Sequence, residues 1–161
     1  MAEVCLGELG RPTGTGLEQE QHCTDRESYS LAAGLALGLI TFGQGSNLTK
    51  GSLSDLELPD LLYYHMIGGP RSAVAHKLKH HQSSREGDTI NIDVTGPGAT
   101  LALGMMFFKS GNEAIAGWMK SPETQHLLEF VRPDFLMLRT LSRGLIPVSY
   151  THLTLPTIYS V

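Results

Sequence analysis

Leu31-Ala-Ala-Gly-Leu-Ala-Leu-Gly-Leu-Ile-Thr-Phe-Gly-Gln-Gly-Ser46 returns, altered but legible, as Ala99-Thr-Leu-Ala-Leu-Gly-Met-Met-Phe-Phe-Lys-Ser-Gly-Asn112. At a fixed offset of 66 residues, Ala33 pairs with Ala99, Leu35 with Leu101, Ala36 with Ala102, Leu37 with Leu103 and Gly38 with Gly104. Phe42 then pairs with Phe108 and Gly45 with Gly111. Self-similarity at one offset marks a stacked repeat protein. Such proteins build surfaces and scaffolds, so binding is expected ahead of catalysis.

Each copy reads as a short apolar helix carrying small residues. Gly34 and Gly38 lie four apart, on one helical face. A glycine inside a helix costs about 1 kcal/mol relative to alanine. Two within one turn therefore imply a neighbouring backbone that must come close, and Gly104 repeats the arrangement. Leu35, Leu37, Leu39 and Phe42 make the first helix apolar nearly all round, which predicts a buried inner helix. In the same reading Leu35, Leu37, Leu101, Leu103 and Trp118 fill the core between layers. The run from Leu31 to Phe42 has 12 residues, short of the ~18 that a membrane span needs. Gly43, Gly45 and Gly111 follow the two helices and are expected to end them, since glycine accepts the left-handed conformation of a helix exit.

These residues resemble the proteasome/cyclosome repeat, a small-residue helix of the form A-G-x-A-L-G-L followed by G-x-G-x. Here the helix is Ala33-Gly-Leu-Ala-Leu-Gly-Leu39 and the exit is Gly43-Gln-Gly-Ser46. The family spans two large proteasome regulatory-particle subunits and a large subunit of the anaphase-promoting complex (cyclosome). Asp25-Arg-Glu-Ser-Tyr-Ser-Leu-Ala-Ala-Gly34, Glu86-Gly-Asp-Thr-Ile-Asn-Ile-Asp-Val-Thr95 and Pro97-Gly-Ala-Thr-Leu-Ala-Leu-Gly104 are similar to the cyclosome branch. So are Asn112-Glu-Ala-Ile-Ala-Gly-Trp118 and Phe130-Val-Arg-Pro-Asp-Phe-Leu-Met-Leu-Arg139, in the same order. The resemblance implies a mainly α fragment of a helical-hairpin solenoid or toroid, with no active site of its own. It also implies a scaffold within a multisubunit ubiquitin ligase of the nucleus and cytoplasm. The implied partners are the other anaphase-promoting complex subunits and the coactivator that presents cell-cycle substrates. The proteasome branch is the alternative.

Composition agrees with a covered segment. Charged residues make up 17% of the chain, below the roughly 25% usual in soluble domains. Eighteen glycines are more than usual for 161 residues. A net charge of −4 gives no electrostatic case for nucleic acid or an anionic membrane. Cys5 and Cys23 show no disulfide framework, which predicts free intracellular thiols. The N-terminus lacks the basic and apolar pattern of a signal peptide.

Along the chain, residues 1–24 read as a loop or disordered leader, and residues 25–146 as the repeat fragment. Asp25 or Ser28 is expected to cap the first repeat helix. A short helix is predicted over Leu61 to Ile67, stopped by Gly68-Gly-Pro70. The polar stretch 71–86 reads as an insertion loop. Thr89-Ile-Asn-Ile-Asp-Val-Thr95 alternates apolar with polar, predicting a half-buried strand as the small β element. Gly96-Pro-Gly98 then turns into the second repeat helix, with Pro97 near its start. Glu113 to Met119 is expected to be a short helix anchored by a buried Trp118. Ser121-Pro122-Glu123 starts a helix reaching Val131, and Pro133 opens another. From Gly144 the chain has no Asp, Glu, Lys or Arg. Residues 147–161 break sharply in composition and resemble a translated adapter tail, not native sequence.

No catalytic, cofactor-binding or metal-ligating set emerges. His76 and His80 could share a helical face, but no cysteine is near and no carboxylate falls at ligand spacing. With Lys77, Lys79, His81 and Arg85 they read as a solvated basic loop. The order strand, glycine turn, helix at Ile90 to Phe108 leaves one enzymatic alternative, an anion or nucleotide site at Gly96 to Gly98. The dinucleotide fingerprint needs a glycine where Leu101 stands, which makes a structural turn the preferred reading. No small-molecule substrate is expected. Two copies are fewer than a solenoid usually needs, so the chain alone is expected to be marginal and to expose apolar faces.

Overall fold

A computed structural model describes residues 1–10, 19–45, 57–68, 85–86, 89–129 and 131–147. The protein is mainly α. Its helices are α1 (Ala2–Leu9), α2 (Gln19–Ile40), α3 (Leu58–Ile67), α4 (Ile92–Met106), α5 (Glu113–Trp118), α6 (Gln125–Leu128) and α7 (Pro133–Leu145). Between α3 and α4, strands β1 (Arg85–Glu86) and β2 (Thr89–Ile90) pair antiparallel, Arg85 opposite Ile90 and Glu86 opposite Thr89.

Three long helices form the spine. α2 packs most extensively on α4, and α4 packs on α7. On one flank α1 packs against α2 and α3 against α4. The core lies between these elements, where Leu9, Leu37, Leu58, Leu62, Leu103, Met106, Met119 and Ile146 are fully buried. Two hydroxyls tie the flanking helices to the spine: Ser30 Oγ donates to the Leu9 carbonyl at 3.0 Å, and Thr95 Oγ1 to the His65 carbonyl at 2.7 Å.

Local chemistry explains where the elements begin and end. The Asn91 side chain accepts from the Asp93 N–H and opens α4; the Asn112 side chain accepts from the Ile115 N–H and opens α5. Both satisfy an orphan donor of the first turn. Pro133 stands in the first turn of α7, where its missing N–H costs nothing. Gly68 ends α3 at φ +71°, returning its N–H to the Tyr64 carbonyl, as a left-handed cap requires.

Several expectations change. Residues 2–9 of the supposed leader form α1, whose Ala2, Leu6 and Leu9 reach the core. α2 begins at Gln19, so Asp25 and Ser28 are inside the helix and cap nothing. The expected strand over Thr89 to Thr95 survives only at Thr89–Ile90; from Ile92 the chain is helical. Burial shows why: Ile90 and Val94 are buried while Ile92 is 39% exposed, so the apparent period of two breaks. The Asn91 cap and an acid at Asp93 next to the positive helix end favour the helix instead. Gly96-Pro97-Gly98 is therefore not a turn, and Pro97 lies inside α4. The helix expected from Ser121 to Val131 is confined to Gln125–Leu128. Of the insertion loop, Arg85 and Glu86 form β1; His76, Lys77, Lys79, His80 and His81 lie outside the described residues, as do residues 148–161 of the tail.

Candidate functional site

Gly34, Gly38 and Gly104 of the repeat pattern lie at contacts between successive spine helices. Gly34 of α2 lies on the backbone of Gly98 in α4, so close that a β-carbon on Gly34 would run into it. Gly98 lies in turn against the Ser30 carbonyl. One turn on, a β-carbon at Gly38 would stand 3.2 Å from Ala102 Cα and 3.0 Å from Met105 Cβ. Between α4 and α7 the same geometry recurs: a β-carbon at Gly104 would stand 2.7 Å from Ser142 Cα and 2.6 Å from its Cβ.

A third helix thus packs in step with the first two. Thr140-Leu141-Ser142-Arg143-Gly144-Leu145-Ile146 follows Thr100-Leu101-Ala102-Leu103-Gly104-Met105-Met106 at an offset of 40 residues. Thr100 donates to the Gly96 carbonyl and Thr140 to the Leu136 carbonyl, both at i−4. Backbone hydrogen bonds between layers repeat in step. Gly43 N–H donates to the Met105 carbonyl at 3.1 Å and Gly45 N–H to the Met106 carbonyl at 2.8 Å. In the next layer Lys109 N–H donates to the Leu145 carbonyl and Gly111 N–H to the Ile146 carbonyl, each at 2.9 Å. Each pair of exit residues satisfies carbonyls that a helix C-terminus otherwise leaves unpaired. Gly43 and its counterpart Lys109 take left-handed backbone, φ +67° and +50°; Gly111 is also left-handed, φ +67°. The exits are joined on their side chains too, since Phe42 stacks on Phe108 with centroids 4.6 Å apart.

Sequence reasoning missed this third layer because only Thr, Leu and Gly are identical at that offset, and Arg143 replaces the buried Leu103. The shorter offset hid it as well.

Leu37 and Leu103 are fully buried. Leu35 is 42% exposed, Leu101 is half-buried, and their third counterpart Leu141 is 51% exposed. This position thus lies outside the fully buried core in all three helices, and α2 is not buried all round: Leu31, Leu35 and Leu39 form an exposed apolar stripe. Trp118 is half-buried, its ring 4.3 Å from that of Tyr63.

Among the described residues no group of three His, Cys, Asp or Glu could hold a metal, and no helix is long and apolar enough to cross a membrane. An open cleft of about 650 Å³ between α5 and the end of α7 is lined by Asn112, Glu113, Lys120 and Arg143. Its charges are of both signs, and the Asn112 side chain is already used as a cap. His65 is buried, and desolvation lowers its pKa to about 4; its Nδ1 has no hydrogen-bond partner, so the ring is neutral at neutral pH.

The family model described as the APC1 fifth domain matches residues 1–155. "Anaphase-promoting complex subunit 1" from Homo sapiens is 55% identical over 150 residues, covering 90% of this chain and 8% of the relative. The protein of the same name from Arabidopsis thaliana is 37% identical over 147 residues, 89% of this chain and 8% of the relative. A protein from Emericella nidulans named "Negative regulator of mitosis" is 33% identical over 146 residues, 91% of this chain and 6% of the relative. The chain thus spans under a tenth of the length of these relatives.

Proposed function

Since the chain belongs to the APC1 fifth-domain family, we propose that it is a non-catalytic scaffold segment of the anaphase-promoting complex, a ubiquitin ligase of the nucleus and cytoplasm. In this reading it braces the other subunits and the coactivator during cell-cycle-regulated ubiquitination, and further layers of the same kind extend it into a solenoid or ring. The observation that carries the proposal is the repeated layer contact. Gly38 meets Ala102 as Gly104 meets Ser142, and the paired exit N–H groups of each layer meet the helix end of the next. Geometry reproduced in step is what a stacked support needs, because each interface then fixes the next at the same spacing.

The roles assigned to individual glycines belong to the proposal: Gly34, Gly38 and Gly104 admit the neighbouring backbone. The rival enzymatic reading loses its premise, because Gly96 to Gly98 are helical and open no anion-binding turn. The test uses the full-length subunit. Gly38→Leu overpacks the α2–α4 contact and is expected to abolish co-purification of the other complex subunits, while Gly7→Leu, where a β-carbon meets nothing within 4 Å, leaves it intact. Undiminished assembly with Gly38→Leu would refute the scaffold role.

A further inference from the structure

α7 is pinned at one end and strapped at the other. Its C-terminal half is fixed by backbone: Ser142 lies against Gly104, and the Leu145 and Ile146 carbonyls accept from Lys109 and Gly111. Its N-terminal half meets α4 at Gly96 through a side chain and not through backbone. There a β-carbon on Gly96 would be 3.7 Å from the Phe135 ring, an ordinary contact, and Met137 is 63% exposed. A further contact at that end comes from two layers away. Arg132, just before α7, donates to Glu27 of α2 at 3.1 Å, across 105 residues of sequence. The same guanidinium holds Asp134 in the first turn of α7 at 2.9 Å and lies over the Phe135 ring at 4.9 Å.

We propose that Glu27–Arg132 is a strap joining the first and third helix layers, which sets the tilt of α7 about its pinned C-terminal end. Helices in contact sit about 8–10 Å apart, so an evenly spaced stack of parallel helices would place α2 and α7 about 16–20 Å apart. The Arg132–Glu27 contact reaches from the start of α7 to α2, past the intervening layer. The Gly34–Gly98 backbone contact brings α2 and α4 together on the same side. Two independent contacts thus hold the layers at that end, and the strap acts on the half of α7 away from its backbone-pinned end.

Glu27→Ala cuts the arm between layers and leaves the Arg132–Asp134 pair and the Phe135 contact in place. In the full-length subunit within its complex, hydrogen–deuterium exchange of the Phe135 to Leu138 amides is expected to rise about two- to fivefold, as for loss of one exposed ion pair. Exchange from Ser142 to Ile146 stays unchanged. In about 1 M salt, where screening removes such a pair, native and variant subunits are expected to converge. Equal exchange at low salt, or a rise spread evenly along α7, would overturn the proposal.

Discussion

At the scale of single residues, a hydrogen atom in place of a methyl group decides whether two layers meet. Gly104→Ala would place a β-carbon 2.7 Å from Ser142 Cα. Backbone cannot move aside as a flexible side chain can, so a loss of about 1–3 kcal/mol is expected in chemical denaturation. Gly144, its counterpart one layer on, meets nothing within 4 Å. There Gly144→Ala is expected to stabilise the chain by up to about 1 kcal/mol through helix propensity alone. Ser142 stands where the preceding layer has Ala102, and its buried Oγ has no partner. Ser142→Ala is therefore expected to leave stability unchanged or raise it by about 1 kcal/mol in the same denaturation experiment. His65 gives a pH dependence of definite sign. Its pKa falls from 6.5 to about 4 on burial, so its contribution is complete above pH 6.5 and is lost as the solution is acidified towards pH 4. Between pH 7.5 and pH 5 the cost is about 2 kcal/mol. Thermal melts should show that increment in the native chain and lack it in His65→Leu.

At the scale of elements, the α4 start shows how a local signal can mislead. Ile90, Ile92 and Val94 alternate as a strand would, yet Asn91 and Asp93 between them supply a cap and a favourable charge for a helix. Asn91→Ala is expected to cost about 0.5–2 kcal/mol and to reduce far-UV helicity, whereas the same change in a strand would leave helicity alone. The helices expected at Leu61 to Ile67, at Glu113 to Met119 and from Pro133 were legible because each carries its own stop or start: Gly68, Asn112 and Pro133. α1 was not legible. Eight residues with Gly7 among them are too short to hold a helix by propensity, and only docking on α2 makes the burial of Leu6 and Leu9 worthwhile.

At the scale of the whole molecule, the chain presents apolar surface at both ends of its stack. Leu31, Leu35 and Leu39 line α2, and Met137 and Leu141 line α7; all are more than a third exposed. Contiguous apolar patches on a soluble chain mark an interaction face or cause association. Replacing Leu35, Leu39, Met137 and Leu141 with Gln is expected to shift the isolated chain from concentration-dependent association to monomer, as measured by analytical ultracentrifugation. Helix content should not change.

The glycine pattern, the helix-forming copies and the family were determined by sequence alone, because a repeated packing requirement leaves the same small residues at the same offset. Tertiary structure alone decided that α7 is a third layer, that Leu35 and Leu141 face outward, and that residues 2–9 fold. Each of those depends on contacts between residues far apart in the chain. A side chain's burial is set by the neighbour that covers it, and no local pattern records where that neighbour comes from.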